Sequence, residues 1–196
     1  MARTKEFDPT RALDDAMRLF WDRGYEGTST ADLVTGTGVS RASLYATFGN
    51  KRELYLACLD HYLAGAGLPA PEEVAAGADG GLAAVRALMQ AAAEGMGDQG
   101  APAGCFSVNA TVEHGAVDPE IARRLEVNRV RFESTLRGAL LRARREGDVR
   151  ADLDVDGAAS MLFALTTGLR AVARAGPGQR QRLDAAVATA MRLIAN

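Results

Sequence analysis

Two short stretches of this chain carry side chains whose types and spacing fit recognition chemistry. The first is residues 38–51, GVSRASLYATFGNK. It holds Arg41 and Lys51 and no acid, in a chain of formal net charge −2, and Lys51 is one of only two lysines. An arginine fork can make paired hydrogen bonds to guanine, and a serine hydroxyl can bond to several bases, so Arg41 and Ser43 suit base edges. Tyr45, Thr47 and Lys51, with the amides that open the helix after it, suit phosphate oxygens, and Thr30 suits the other phosphate edge. Ser40 heads the segment's helix as its cap and joins this candidate DNA-binding set.

The second stretch is residues 104–115, GCFSVNATVEHG. Cys105, Asn109 and Glu113 recur every four residues and so share one helical stripe. A thiol, an amide and a carboxylate on one face read as the wall of a pocket. Cys105 stands near a helix N-terminus, which favours the thiolate and suits a sensor of oxidants or electrophiles. It equally fits a small buried core cysteine, since free Cys is among the most buried residue types. Around this stripe the candidate effector lining is Met89, Met96, Phe106, Phe132, Met161, Phe163 and Thr167. Met and Phe supply an adaptable apolar surface, and Asn109, Glu113 and Thr167 supply a few polar fixes. The same Met and Phe positions also suit plain core.

Other chemistries find no support. His61 and His114 are far apart and no Cys or His pair has metal-ligand spacing, so neither a metal nor a cofactor is expected. The glycines at 77–81 lack the Lys-Ser/Thr ending of a phosphate loop, and there is no serine nucleophile elbow. No catalytic residue is assigned, and an enzyme is not expected. No apolar run approaches the ~18 residues of a membrane span, and the N-terminus lacks the apolar core of a signal peptide. The expected location is cytoplasmic, with no membrane partner.

Helices must position these residues. Ala and Leu dominate and β-branched runs are absent, which predicts an all-α fold. Asp8-Pro9 opens a first helix with Leu13, Met17, Phe20 and Trp21 on one face, stopped at Gly24. Ser29 and Asp32 have capping-box spacing for a second helix ended by Gly36 or Gly38. Ser40 caps a third, over about 40–47, and Asn50 with Glu53 opens a fourth, over about 50–65. Residues 65–80 read as a Gly/Pro/Ala linker. Helices then follow over 81–97 and 104–115, a long one from Asp118-Pro119, and two closing helices, about nine in all. The second and third helices, joined through Gly38-Val39, make a helix-turn-helix whose third helix is slim and polar enough for the DNA major groove.

Residues 13–55 resemble the N-terminal domain of the tetracycline-repressor (TetR) family. The likeness is carried by Leu19-Phe20, Gly24-Tyr25, Thr28 to Thr30, Gly38-Val39-Ser40, Leu44-Tyr45, Phe48 and Lys51. That family often has Gly where Ala42 stands and His or Tyr where Thr47 stands; Thr47 keeps a hydroxyl but loses the ring. The resemblance implies a homodimeric transcription regulator, usually a repressor, whose C-terminal helices bind a small-molecule effector that releases a palindromic, double-stranded DNA operator. By position it places Thr30, Tyr45, Thr47 and Lys51 on phosphates and Arg41 and Ser43 on bases. It also implies that the last two helices pair with their copies. Their apolar stripes, Ala158, Leu162, Leu165 and Leu169, then Leu183, Val187, Ala190, Met191 and Ile194, suit such an interface or burial inside one subunit. Arg3 and Lys5 form either an arm for flanking DNA or a disordered tail.

The division expected is residues 1–52 as the helix-turn-helix DNA-binding domain and 53–196 as the effector-binding and dimerisation domain, linked by the fourth helix. Two alternatives remain open at this point: a thiol-based sensor acting through Cys105, and a helical binding module without DNA binding.

Overall fold

The computed structural model describes residues 7–66, 69–94, 104–173 and 180–196. Arg3, Lys5 and Met96 lie outside the described residues. The fold is all-α; the one β-type pairing among the described residues is an isolated bridge between Val149 and Ala195.

Four helices open the chain: α1 (Pro9–Arg23), α2 (Thr30–Thr37), α3 (Arg41–Phe48) and α4 (Lys51–His61). Each begins where a capping side chain precedes it. Asp8 accepts from the N–H groups of Thr10 and Arg11, Ser40 accepts from that of Ser43, and Ser29/Asp32 and Asn50/Glu53 close reciprocal capping boxes. Each cap satisfies N–H groups that have no acceptor inside the helix and contributes about 1 kcal/mol. Gly38 ends α2 with φ of 67°, in the left-handed region, where a side chain costs roughly 1–2 kcal/mol. That turn sends α3 off in a new direction, with Val39 and Leu44 directed into the core beside Leu33.

The core under these helices includes Met17, Phe20, Trp21, Leu33, Leu44, Leu54 and Tyr55. It does not stop there. It runs along α4 through Cys58, Leu59 and Tyr62, and takes in Cys105, Phe106, Ala110 and Ile121 from further down the chain. Cys58 is fully buried, and its burial pushes the thiol far above the ordinary range.

After α4 the chain makes one π turn, Tyr62–Ala66. The expected linker then contains a further short helix, α5 (Pro71–Ala76). Pro71 at its first position, with Glu72 and Glu73 in its first turn, explains why it forms where composition alone reads as loop. The remaining helices are α6 (Gly81–Glu94), α7 (Phe106–His114), α8 (Pro119–Glu146), α9 (Val155–Ala173) and α10 (Arg180–Ile194). Asp118 caps α8, and Glu146 at the far end of α8 accepts from Gly81 N–H at 2.6 Å and so caps α6.

A second core joins α6, α8, α9 and α10 through Val85, Leu88, Met89, Leu136, Leu140, Leu162, Leu183 and Met191. Of the two uses open to the apolar stripes of the last two helices, the structure shows burial within one chain. Ala158, Leu162, Leu169, Leu183, Val187, Ala190, Met191 and Ile194 are all buried within one chain, with Leu165 packed against them. The apolar faces of α9 and α10 are spent on α6 and α8, so another face of these helices meets the outside. Along α9 that face is Ser160, Met161, Ala164, Gly168, Ala171 and Val172, all exposed. It carries no charge; the charged residues of α9 are Asp156 and Arg170.

Candidate nucleic-acid interface and adjoining cleft

The polar edge of the helix-turn-helix is built from α2, α3 and the start of α4. Arg41, Ala42 and Ala46 are exposed on α3, with Ser43 and Thr47 half-exposed beside them. Ser40 is committed to α3 as its cap, and its hydroxyl also donates to Ser43 Oγ at 3.0 Å. Thr30 Oγ1 and Tyr45 Oη lie 2.9 Å apart, so α2 and α3 present a joined pair of hydroxyls. The Arg41 guanidinium stands over the Tyr45 ring at 5.6 Å. Lys51 Nζ stands 4.2 Å over the Tyr25 ring, which holds the ammonium beside the N-terminus of α4. These groups form a row of cations, hydroxyls and helix-start amides along one edge, which is what phosphates require.

The stripe Cys105, Asn109, Glu113 does share one face of α7, but that face is not a pocket wall. It is turned to the N-terminal helices. Asn109 Nδ2 donates to Trp21 O at 3.1 Å, satisfying a carbonyl in the last turn of α1. Glu113 Oε2 accepts from Tyr25 N–H at 2.9 Å. Gly24 between them has φ of 77°, and a Cβ there would meet Glu113 Oε1 at 2.1 Å. His114 packs edge-on against Tyr25 and Tyr55. Thus Lys51 rests on Tyr25, and Tyr25 rests on α7. The α4–α8 side is tied as well: Arg52 donates to Asp118 through Nε and Nη2 and reaches Glu120 at 3.0 Å, while Arg124 binds Asp60 at 2.8 Å. Burial raises the Asp118 pKa, but Arg52 and the N–H groups of Ile121 and Glu120 outweigh it and hold the carboxyl below the usual range.

Cys105 itself stands at the position just before α7 and is 1% exposed. Its Sγ lies 3.1 Å from Tyr62 Oη, 3.0 Å from Ser107 Oγ and 3.8 Å from Arg170 Nη1. Burial opposes the thiolate; the charge of Arg170 and the hydrogen bonds of Ser107, Tyr62 and the Val108 N–H outweigh it, so the thiol pKa sits below its ordinary value. Burial pushes the Tyr62 phenol well above its own.

The wall of the cleft is the neighbouring stripe of α7. A cavity of about 400 Å³ opens between α7, α8 and α9, lined by Val108 and Thr111 of α7, Leu125 and Asn128 of α8, and Phe163, Thr167 and Arg170 of α9, with Ser107, Gly115, Ala122, Glu126 and Arg129 completing it. Of the expected effector set, Phe163 and Thr167 line it, and Phe132 packs beside Phe163 at a tilt with the Arg170 guanidinium 6.0 Å from its ring centroid. The others are placed elsewhere. Met89 belongs to the second core and Phe106 to the first, Met161 is 43% exposed on the outer face of α9, and Asn109 and Glu113 hold α1 and the corner after it. Arg170 was not in the sequence-derived set, although it is the one charge in the apolar length of α9 after the first turn. Among the described residues no group of three or more His, Cys, Asp or Glu side chains is placed to hold a metal ion, and no helix is long and apolar enough to cross a membrane.

Comparison with known proteins agrees with this geometry. Residues 12–58 match the family model described as bacterial regulatory proteins, tetR family, and residues 81–194 match that of the tetracyclin repressor-like C-terminal domain. The chain is 34% identical over 176 residues to the uncharacterized HTH-type transcriptional regulator YezE of Bacillus subtilis, covering 89% of this chain and 90% of that one. It is 33% identical over 187 residues to the HTH-type transcriptional repressor ComR of Escherichia coli, covering 95% and 89%. A solved structure of the TetR family transcriptional regulator CifR, a cysteine mutant complexed with 26-bp double-strand operator DNA, superposes with a TM-score of 0.85 at 31% identity, covering 98% of this chain and 100% of that one.

Proposed function

We propose that this chain, which belongs to the tetR family of bacterial regulatory proteins, is a homodimeric repressor released from a palindromic operator by a small molecule in the α7–α9 cleft. The observation that carries the reading is the link from cleft to reader. One face of α7 lines the cleft, and another holds the end of α1 and the Gly24-Tyr25 corner through Asn109 and Glu113. A ligand that moves α7 therefore moves the support of Tyr25, on which Lys51 rests. Two copies of α3 must sit about one DNA turn apart, ~34 Å, to read both half-sites. A ligand with higher affinity for a state of different spacing shifts the population away from DNA.

In this reading Arg41 and Ser43 meet base edges, and Thr30, Tyr45, Thr47 and Lys51 meet phosphates. The uncharged outer face of α9, where Met161, Ala164, Gly168 and Val172 are exposed, is the surface that a second copy covers. The test is selection of random duplex DNA by the purified protein. An enriched inverted repeat whose affinity falls with salt supports the reading; absence of any enriched sequence, at low salt and without added ligand, overturns it.

A second reading is favoured by the surroundings of Cys105. A buried thiol with two hydroxyl partners and a neighbouring guanidinium is held toward the thiolate. Operator release by oxidants or alkylating agents that is abolished in Cys105→Ser, with release by non-covalent ligands retained, would establish this signal.

A further inference from the structure

Among the described residues, Arg170 is the cleft residue whose charge has no carboxylate partner. Its Nε is buried with no acceptor among the described residues, while the guanidinium lies over the face of Phe132 and Nη1 donates to the sulfur of Cys105 at 3.8 Å. The other charges of the cleft are already matched: Glu126 binds Arg129, which also binds Glu133 at 2.7 Å. The wall around Arg170 is apolar, with Val108, Ala122, Leu125 and Phe163. A guanidinium half-buried in such a wall with an unused N–H is costly unless an acceptor arrives.

The remaining polar groups restrict what that acceptor is. Thr111 donates to Ser107 O at 2.8 Å and Thr167 to Phe163 O at 3.1 Å, and the Ser107 hydroxyl lies against Cys105. The two threonine donors are spent and the Ser107 hydroxyl is engaged with the sulfur, which leaves Arg170 and the Asn128 amide. One cation and one amide can satisfy a monoanion and cannot solvate a dianion such as a phosphate monoester. At roughly 30 Å³ per non-hydrogen atom, the water-like value, the cavity of about 400 Å³ holds about a dozen atoms.

We propose that the α7–α9 cleft takes a small carboxylate with an apolar body, its head on Arg170, and that this ligand and Cys105 share that single cation. The inference rests on the cleft being the effector site. When the carboxylate occupies Arg170, the ionised form of Cys105 loses its counter-ion, so the protonated thiol gains population by taking a proton from solvent. By reciprocity, conditions that ionise Cys105 weaken carboxylate binding by the same factor.

The experiment uses the full-length protein under reducing conditions, titrated calorimetrically with octanoate and 4-phenylbutanoate and with their methyl esters. Thiolate absorbance at 240 nm is followed in parallel, with Cys105→Ser as the blank. The expected result is that each acid binds at least about tenfold more tightly than its ester, that Arg170→Gln removes this preference and Arg170→Lys reduces it, and that saturating acid lowers the thiolate signal. Equal affinity of acid and ester in the unmutated protein, or no acid binding at 10 mM (about 2.7 kcal/mol of affinity at 1.36 kcal/mol per tenfold), overturns the carboxylate site without any variant having to fold. An unchanged thiolate signal at saturation overturns the sharing of Arg170. Acid binding that depends on Arg170 yet leaves operator affinity unchanged keeps the anion site and defeats the effector reading, so the two failures are distinguishable.

Discussion

The strut between α7 and the N-terminal helices gives the most direct energetic test. Glu113 accepts one hydrogen bond from Tyr25 N–H at 2.9 Å, and Asn109 donates one to Trp21 O at 3.1 Å. A hydrogen bond to a charged group is worth about 1.5–3 kcal/mol when shielded, but the Glu113 side chain is 36% exposed, which screens it toward about 1 kcal/mol. The Asn109 bond is neutral and also contributes about 1 kcal/mol. Taken as independent bonds, Glu113→Ala and Asn109→Ala sum to about 2 kcal/mol in the double variant, and a departure from that sum measures their coupling as i,i+4 neighbours. With a urea m-value of about 2.5 kcal/mol/M, the midpoint then falls by about 0.8 M. Trp21, the single tryptophan, reports from the last turn of α1 beside the carbonyl that Asn109 holds. The assay is its fluorescence through a urea titration at fixed protein concentration. Glu113→Gln keeps an acceptor without the charge and should lie between the wild type and Glu113→Ala. A double variant whose midpoint falls by less than about 0.2 M, equivalent to about 0.5 kcal/mol, would refute the strut as a structural tie and with it the route from cleft to reader.

Three further outcomes follow from the same geometry. Arg41→Ala should cost about 1–3 kcal/mol and relax selectivity at one base position, whereas Lys51→Ala should weaken all sequences alike and lower the salt slope by about 1 per protomer, both read by fluorescence anisotropy on operator duplexes. Cys105 should ionise below the ordinary thiol pKa while Cys58 stays protonated, seen as a step in absorbance at 240 nm that Cys105→Ser removes. Because the folded pKa of Cys105 is the lower one, its stabilising contribution is complete above the unfolded thiol pKa of about 8.5 and is lost as pH falls through the folded value. Gly168 faces open space within one chain, so Gly168→Arg should leave the helical content unchanged and convert the proposed dimer to monomer in sedimentation; an intact dimer would remove the outer face of α9 from the interface.

What was legible in the sequence divides along a physical line. Caps are local: Asp8, Ser29, Ser40, Asn50 and Asp118 each meet N–H groups two or three residues away, so five helix starts could be read from residue types alone. Helical spacing is also local, and it placed Cys105, Asn109 and Glu113 on one face. It does not say what the face meets. That face meets Tyr62, the end of α1 and the Gly24-Tyr25 corner, more than forty residues away in every case, and the cleft fell to the next stripe of α7. The same limit governs α9 and α10, whose apolar stripes suited a partner helix from either the same chain or a second one; α6 and α8 took them, and the uncharged outer face of α9 was left over. Arg170 was legible by a different rule that the spacing argument did not use. A single arginine beyond the first turn of an apolar helix must find a counter-charge, an aromatic face or a ligand, and here the structure supplies Phe132 and a thiol but no carboxylate among the described residues. A charge that an apolar helix retains at that cost marks where a ligand is expected, more sharply than the Met and Phe residues that also serve as core.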